Sequence, residues 1–204
     1  MKYLYGASGH AKVIADVINT STKIVLSGVF DDDNKKKEFL DIPFLGKYNT
    51  SKVNDNTIEF LVSIGDNKIR KNIVEKLKTR FFSVFHKSSV ISSSAKIGIG
   101  TVVMPEAIIN ADSKVGDHCI INTSAVIEHD CVIENYVHIS PNATVTGSVK
   151  IGEGTHIGAG AIIIPGIIIG KWSIIGAGAV IINDIPENSL VVGNPGKVIR
   201  KNNI

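Results

Sequence analysis

The segment from Asn122 to Ser140 reads NTSAVIEHDCVIENYVHIS and sets one histidine, His129, between two acids, Glu128 and Asp130. An imidazole beside a carboxylate is a competent proton acceptor, because the carboxylate fixes the tautomer and raises the basicity of the ring. A second histidine, His138, follows nine positions later, and a third, His156, eighteen beyond that. No Ser-His-Asp spacing accompanies them, and the two cysteines, Cys119 and Cys131, form no CxxC pair. The residues therefore suit a substrate that attacks directly better than a covalent intermediate on the protein. Acyl transfer from a thioester to an amine needs only this much: a base, an oxyanion donor such as a glycine N–H, and two reactants held together. Metal binding by His138 and His156 would want a third ligand, which the sequence does not offer nearby. His86 and His118 read as structural, and His10, opening a helix beside a glycine turn, fits either role.

Such a pair needs a rigid scaffold, and its surroundings supply one. From Ile91 to Ile181 every sixth residue is Ile or Val without a slip, sixteen hexads in all. Four residues after each comes a mostly small residue, such as Ala95, Ala107, Cys119, Ala125 or Cys131. Gly often follows the aliphatic position, as at Gly98, Gly116, Gly152, Gly158, Gly170 and Gly176. Neither a helical period nor simple strand alternation yields a strict six, whereas a parallel β-helix does. Each hexad is then one short strand and one corner, with the aliphatic residue inside, the small residue beside it and glycine relieving strain at the corner. Both cysteines fall on the small inward position and read as small hydrophobes. These repeats resemble the left-handed hexapeptide-repeat acyltransferases, whose triangular coil takes three hexads. That implies just over five coils with strands about 4.8 Å apart. Residues eighteen apart then stack, putting His138 under His156 and His129 under Gly147.

Ahead of the repeats the pattern is α/β. KYLYGASGHAKVIADVI reads as strand, glycine turn and helix, with Ser8 as N-cap and Val13, Ile14, Val17 and Ile18 on an apolar face. KIVLSGVFDDD is a second strand, and IEFLVSIGDN is a third that leads into a helix over 67–79. This alternation predicts a small Rossmann-like parallel sheet. The expected division is 1–85 for that domain, 86–186 for the all-β left-handed β-helix and 187–204 for a cap folded over the last coil. GASGH lacks the middle glycine of the dinucleotide fingerprint, which speaks against a dehydrogenase. It still presents backbone N–H groups at a helix N-terminus, where phosphate is favoured. Asp31 and Asp32 end the second strand, placed to accept a ribose hydroxyl, and Gly65 ends the third at the same edge. The three clues point to a mononucleotide, such as that of a nucleotide-sugar. A plain β-α-β domain with ordinary turn glycines is the alternative.

Composition narrows the class. Apolar residues are 44% of 204 and aromatics 6%, so the core is aliphatic. Net charge is +3, and Lys35 to Lys37, the one lysine run, reads as a solvated loop. A nucleic-acid partner would show a basic stripe with interleaved aromatics, which is absent. The N-terminus lacks the apolar core of a signal peptide, and no apolar run is long enough to span a membrane. Two unpaired cysteines suit a reducing compartment, so a cytoplasmic protein is expected.

Taken together, YGASGH, FDD, SIGDNKIRK, HKSSVIS, NTSAVIEHDCVI, HIS and VGNPGKVI resemble the bacterial acetyltransferases of nucleotide-activated 4-amino sugars over almost the whole chain. That group is related to the sialic-acid O-acetyltransferases. The resemblance implies transfer of acetyl from acetyl-CoA to the 4-amino group of a UDP- or GDP-linked 4-amino-4,6-dideoxy sugar, by direct attack in a ternary complex and without a metal. It implies His129 as general base and Asp130 as its acid, at a place where close members carry Glu. His138 would lie beside the acetyl group and pantetheine, Gly147 would offer its N–H to the thioester carbonyl, and Ala159 and Ala177 would line the CoA channel. Ser8, Gly9, His10, Asp31, Asp32 and Gly65 would hold the nucleotide-sugar, with Asn122 near the sugar. A homotrimer is implied, with CoA between two β-helices and the N-terminal domain of one subunit facing the active site of its neighbour. Outward residues such as Ile108, Ile162 and Ile168 would be covered there. The group's work in surface polysaccharide or glycoprotein sugar synthesis is the expected setting. The competing readings are an O-acetyltransferase of sialic acid or another glycan sugar, and a non-catalytic β-helix scaffold, against which the His129–Asp130 pair stands.

Overall fold

The structure, a computed structural model, describes residues 1–33, 35–49 and 57–201. Strands β1 (Lys2–Tyr5), β2 (Leu26–Phe30), β3 (Glu59–Val62) and β4 (Arg80–Phe81) form a parallel sheet in the order β2-β1-β3-β4. Helices α1 (Gly9–Ser21) and α2 (Asn67–Leu77) cover its two faces. Strand alternation decides which side chain meets which helix. Leu4, Val29 and Leu61 pack with Ile14 and Ile18 of α1, while Tyr5, Phe60 and Val62 pack with Ile73 and Leu77 of α2. Val84, Val102 and Met104 join the α1 cluster, so α1 lies between the sheet and the start of the second domain. Ser8 is the N-cap of α1 by position, but its hydroxyl makes no capping bond, and Val13 is exposed rather than apolar-face. Asp66 does cap α2, accepting the N–H of Ile69 at 2.8 Å.

From Val84 the chain winds into a left-handed triangular β-helix of strands two residues long, the last one four, with seven, six and five parallel strands on its three faces. That is more than the hexads announce, and both ends explain it. The first additional strand, Val84–Phe85, pairs with Val102–Val103 but carries Phe where the pattern wants Ile or Val. The last, Ser189–Val192, pairs with Ile174–Ile175 only sixteen residues back. A corner shortened by two residues thus hides it from the six-residue count. The segment after Asn183 extends one face as Ser189–Val192, passes against Val180 and Ile181 of the last coil at Gly193 and Gly196, and doubles back as the antiparallel strand Lys197–Lys201. Residues 202–204 of the expected cap lie outside the described residues.

Inside the prism the aliphatic column and the small residues are sealed: Ile109, Ile121, Ile127, Ile139, Cys119 and Cys131 are fully buried. The glycine after the aliphatic residue answers to the closeness of the coils, not to backbone strain. A Cβ on Gly158 would stand 2.6 Å from the Ala177 nitrogen. Left-handed φ occurs two residues further on, at His118, Asp130, Tyr136 and Trp172 among others. Outward side chains give each face a character. One carries Ile120, His138, His156 and Ile174; the second Val90, Ile108, Val126, Ile162 and Val180; the third Lys96, Lys114, Lys150 and Ile168. We refer to them as the histidine, aliphatic and lysine faces.

The inward and outward positions differ in what they contribute. Ile139→Ala is expected to destabilise the fold by about 2–5 kcal/mol, and Ile168→Ala, on an exposed position, by less than about 0.5 kcal/mol. Urea denaturation of both variants measures the difference.

Candidate active site

The N-terminal domain is held on the histidine face and its adjoining corner by α2. Arg70 is 1% exposed. Its Nε donates to the His118 carbonyl (2.9 Å), one terminal nitrogen to the Ile64 and Gly65 carbonyls (2.9 and 3.1 Å), and the other to Asn67 Oδ1 and the Tyr136 carbonyl (2.8 and 2.9 Å). Asn67 Nδ2 donates in turn to the Gly154 and Thr155 carbonyls (3.0 and 3.2 Å). Lys71 pairs with Glu153 at 2.6 Å and lies near the Tyr136 and Trp172 rings. Gly154 makes room for Trp172, since a Cβ there would meet the indole at 2.4 Å. His118, read as structural, is stacked on Tyr136 and edge-on to Phe81 at this same interface.

This docking closes a cleft of about 750 Å³ between the β3–α2 turn and the histidine face. Gly65, Asp66, Asn67 and Lys68 form one wall and His138, His156, Trp172 and Ile174 the other, with Arg200 and Lys201 at the margin. His138 and His156 stack with ring centres 4.7 Å apart, as the eighteen-residue spacing requires. His10 reaches in from α1, its ring centre 6.2 Å from that of His138. The protonation state of His138 follows from its partners. The Thr123 N–H donates to Asn122 Oδ1 at 2.8 Å, which turns the Asn122 amide nitrogen toward His138 Nε2, 3.1 Å away. An amide nitrogen only donates, so Nε2 accepts and the ring is neutral. Burial, then His156 and Arg70, push His138 down to about 2, and burial and Arg70 push His10 down to about 4. His156, beside Ser140 Oγ at 2.8 Å, is also lowered, by burial and then by Arg70.

His129 lies elsewhere, on the corner between the aliphatic and lysine faces. Its Nδ1 is 2.8 Å from Asp130 Oδ2, so the shorter acid reaches the ring. The hydrogen bond that Nδ1–H donates to Asp130 raises its basicity, with Asp130 and Glu128 charges adding to the effect. The side chain is 60% exposed and its Nε2 is open. The ring lies over Gly147, where a Cβ would stand 2.7 Å from Nε2. Among the described residues, no hydrogen bond uses the N–H of Gly147, Ala159 or Ala177. Ala159 and Ala177 stack on the corner between the histidine and aliphatic faces, both exposed. The chain thus gathers His10, Gly65, Asn122 and His138, while His129, Asp130 and Gly147 occupy a different corner.

At the carboxyl edge of the sheet, Asp31 is already engaged. It accepts the Ala7 N–H (2.6 Å) and the Asp33 N–H (2.8 Å) and pairs with Lys36 (2.7 Å). Burial works to raise its carboxyl, but Lys36 and the two amides outweigh it and hold it low. One member of the lysine run thus builds the turn instead of facing only solvent. Asp32 accepts the Tyr5 hydroxyl at 3.0 Å and borders a second cavity of about 320 Å³ with Lys47, Tyr48 and Lys76. Ser8 and Gly9 are exposed, and the space beside Gly9 and Gly65 is open. Sequence reasoning does not find Arg70, Asn67 and Trp172. The first two lie within the stretch SIGDNKIRK, which says nothing of the carbonyls they reach. Among the described residues no cluster of His, Cys, Asp and Glu is arranged to hold a metal, and no helix is long and apolar enough to cross a membrane.

A parallel α/β domain seated on a left-handed hexapeptide β-helix defines a class, and comparison with known proteins gives the family. Residues 3–77 match the PglD N-terminal domain, and 112–147 and 148–183 match the bacterial transferase hexapeptide (six repeats). PerB from Caulobacter crescentus, solved in complex with CoA and GDP-perosamine, is 33% identical with a TM-score of 0.90, covering 98% of this chain and 97% of that one. The acetyltransferase domain of PglB from Neisseria gonorrhoeae FA1090, in complex with acetyl coenzyme A, is 34% identical with a TM-score of 0.88, covering 97% and 98%. A UDP-N-acetylbacillosamine N-acetyltransferase of Bacillus subtilis (strain 168) is 43% identical over 108 residues, 50% of each chain. The chain belongs to the left-handed β-helix, hexapeptide-repeat family of nucleotide-sugar acetyltransferases.

Four histidines held neutral at the domain interface give acid sensitivity. His10 and His118 are pushed from 6.5 to about 4, and His138 and His156 are lowered as well. Between those values and 6.5 the unfolded chain binds protons that the folded chain refuses, so stability falls as pH drops through this window. Melting temperature is expected to decline steadily from pH 7 to 5, and replacing His118 with Phe to flatten that decline.

Proposed function

We propose that this protein transfers acetyl from acetyl-CoA to the 4-amino group of a UDP- or GDP-linked 4-amino-4,6-dideoxy sugar, with His129 as general base. The single observation that carries this reading is the His129–Asp130 pair poised over Gly147, on a scaffold whose relatives hold CoA and a nucleotide amino sugar. Acetyl-CoA would run along Ala159 and Ala177, whose free N–H groups suit the pantetheine carbonyls, and pass His138. The nucleotide-sugar would lie at the sheet edge, with Ser8, Gly9, His10 and Gly65 around the phosphates, Asp31 and Asp32 near the ribose, and Asn122 near the sugar.

The reaction balances without a covalent enzyme intermediate. The free amine attacks the thioester carbonyl and forms the C–N bond, and the Gly147 N–H stabilises the oxyanion. His129 Nε2 takes the proton from nitrogen, and the Asp130 carboxylate stabilises the imidazolium that results. The C–S bond breaks as the tetrahedral centre collapses, and His129 returns the proton to the sulfur. The products are the N-acetyl sugar and CoA.

A homotrimer completes this arrangement. Asn122 with the Ala159–Ala177 corner, and the base, lie at opposite edges of the aliphatic face, so a neighbour packed on that face would bring its His129 toward Asn122 and the adjoining histidine face of the first copy. Val90 and Ile162, 60% and 43% exposed on that face, support such packing. The working parts are then 1–85 for the acceptor, 86–186 for donor and base, and 187–204 at the end of the coil.

Free-thiol release from acetyl-CoA, with product mass, tests the reading against a UDP-4-amino sugar, a GDP-4-amino sugar and free sialic acid. Release with one nucleotide amino sugar is expected; release with sialic acid alone would replace it by O-acetylation. His129→Ala is expected to lower kcat about 10²–10⁴-fold. Because Asp130 raises the His129 pKa, the acid limb of kcat/KM lies above the ordinary histidine value of 6.5. Asp130→Asn should move that limb to lower pH. Co-expressing His129→Ala with Asn122→Ala should restore turnover that neither has alone, if each site draws on two copies.

A further inference from the structure

We propose that Arg70 is a positioning residue for acetyl transfer: its guanidinium pins the Gly65 turn to two successive coils and sets a fixed positive charge beside the cleft where the acceptor must present a free amine. This rests on the reading of the cleft as the acceptor site of an amino-sugar acetyltransferase.

Every N–H of Arg70 is used, and every acceptor is neutral: four main-chain carbonyls and the Asn67 amide. No ion pair of the described residues includes Arg70. Buried charges are ordinarily paired, and an apolar side chain of similar length would dock a helix without the desolvation cost. The carbonyls account for geometry: Ile64 and Gly65 belong to the turn, His118 and Tyr136 to corners eighteen residues apart. They do not account for the charge.

The charge is accounted for by what surrounds it. From the solenoid, Cys119 and Tyr136 face it, both kept neutral by burial. On its own turn stands Asp66, exposed at the N-cap of α2. Four imidazoles also surround it, His10 from α1 and His118, His138 and His156 from the solenoid, with Asp117 acting on His118 and Asp66 on His156 in the opposite sense. Arg70 disfavours the protonated form of each. An acceptor ammonium entering the same cleft meets the same like charge, which favours loss of its proton before attack. A neutral His138 also keeps Nε2 as an acceptor for Asn122.

Arg70→Lys keeps the charge and loses the fork; Arg70→Met loses both. Proton NMR titration of His10 and His156 is expected to move up by about half a pH unit or more in Arg70→Met and to stay near wild type in Arg70→Lys. In both variants KM for the nucleotide-sugar should rise roughly tenfold or more, while KM for acetyl-CoA, bound on the solenoid, stays within about twofold. Histidine titrations unmoved in Arg70→Met, or moved equally in Arg70→Lys, would remove the electrostatic role. Both KM values rising together with a fall in melting temperature would reduce Arg70 to a structural clamp. If Arg70→Met does not fold, Arg70→Gln serves the same comparison. The titrations need no substrate, so they decide the part played by Arg70 even if no amino sugar is acetylated.

Discussion

Main-chain hydrogen bonds between coils recur every eighteen residues through the body of the solenoid, and nearly every other distance in the molecule follows from them. His138 N–H donates to the Thr155 carbonyl and Ile120 N–H to that of Val137, so each outward side chain stands over its counterpart in the next coil. The short rise leaves no room for variation. Inward positions are filled by Ile, Val, Ala and Cys because larger residues would separate the coils, and a Cβ at Gly158 would already collide with the chain above. The site inherits this rigidity. The His129 ring lies over Gly147 because the coil returns there, without needing a loop to place it.

The second domain-level constraint is electrostatic. A guanidinium withdrawn from water requires all its donors satisfied, and Arg70 finds them only where α2, the Gly65 turn and two corners of the β-helix meet. This requirement makes the docking specific in a way that the apolar cluster of α1 with Val84, Val102 and Met104 does not, since hydrophobic contact alone tolerates sliding. The two interfaces act on opposite faces of the small sheet. Between them they fix the carboxyl edge of β1 and β3 against the histidine face.

Much of this architecture is legible in the residues alone. A strict period of six in Ile and Val has one physical solution, and stacking at eighteen follows from it, so the spacing itself places the His138–His156 ladder and the His129–Gly147 contact. The parallel α/β domain is legible in the same way, from alternating apolar patterns. Local pattern is silent wherever a long side chain meets main-chain carbonyls, which carry no residue identity. Arg70 and Asn67 are invisible for that reason. Trp172 escapes because its packing over Gly154 depends on a corner conformation that hydrophobic spacing does not encode. The coil count falls short because Phe85 and the two-residue shortening before Ser189 break the pattern without breaking the coil.

The pairing of a large corner ring with glycine one coil away also constrains how such a chain can change over generations. Gly147 with His129, Gly154 with Trp172 and Gly100 with His118 are each pairs in which a Cβ on the glycine would meet the ring at less than 3.0 Å. At Gly147 a side chain is admitted once the exposed His129 ring moves or is lost, whereas Gly100 and Gly154 also carry left-handed φ of +68° and +67°, so losing the ring does not by itself free them. Neighbouring coils therefore do not evolve as independent repeats, and an inserted or deleted coil is tolerated only where it leaves these pairs adjacent.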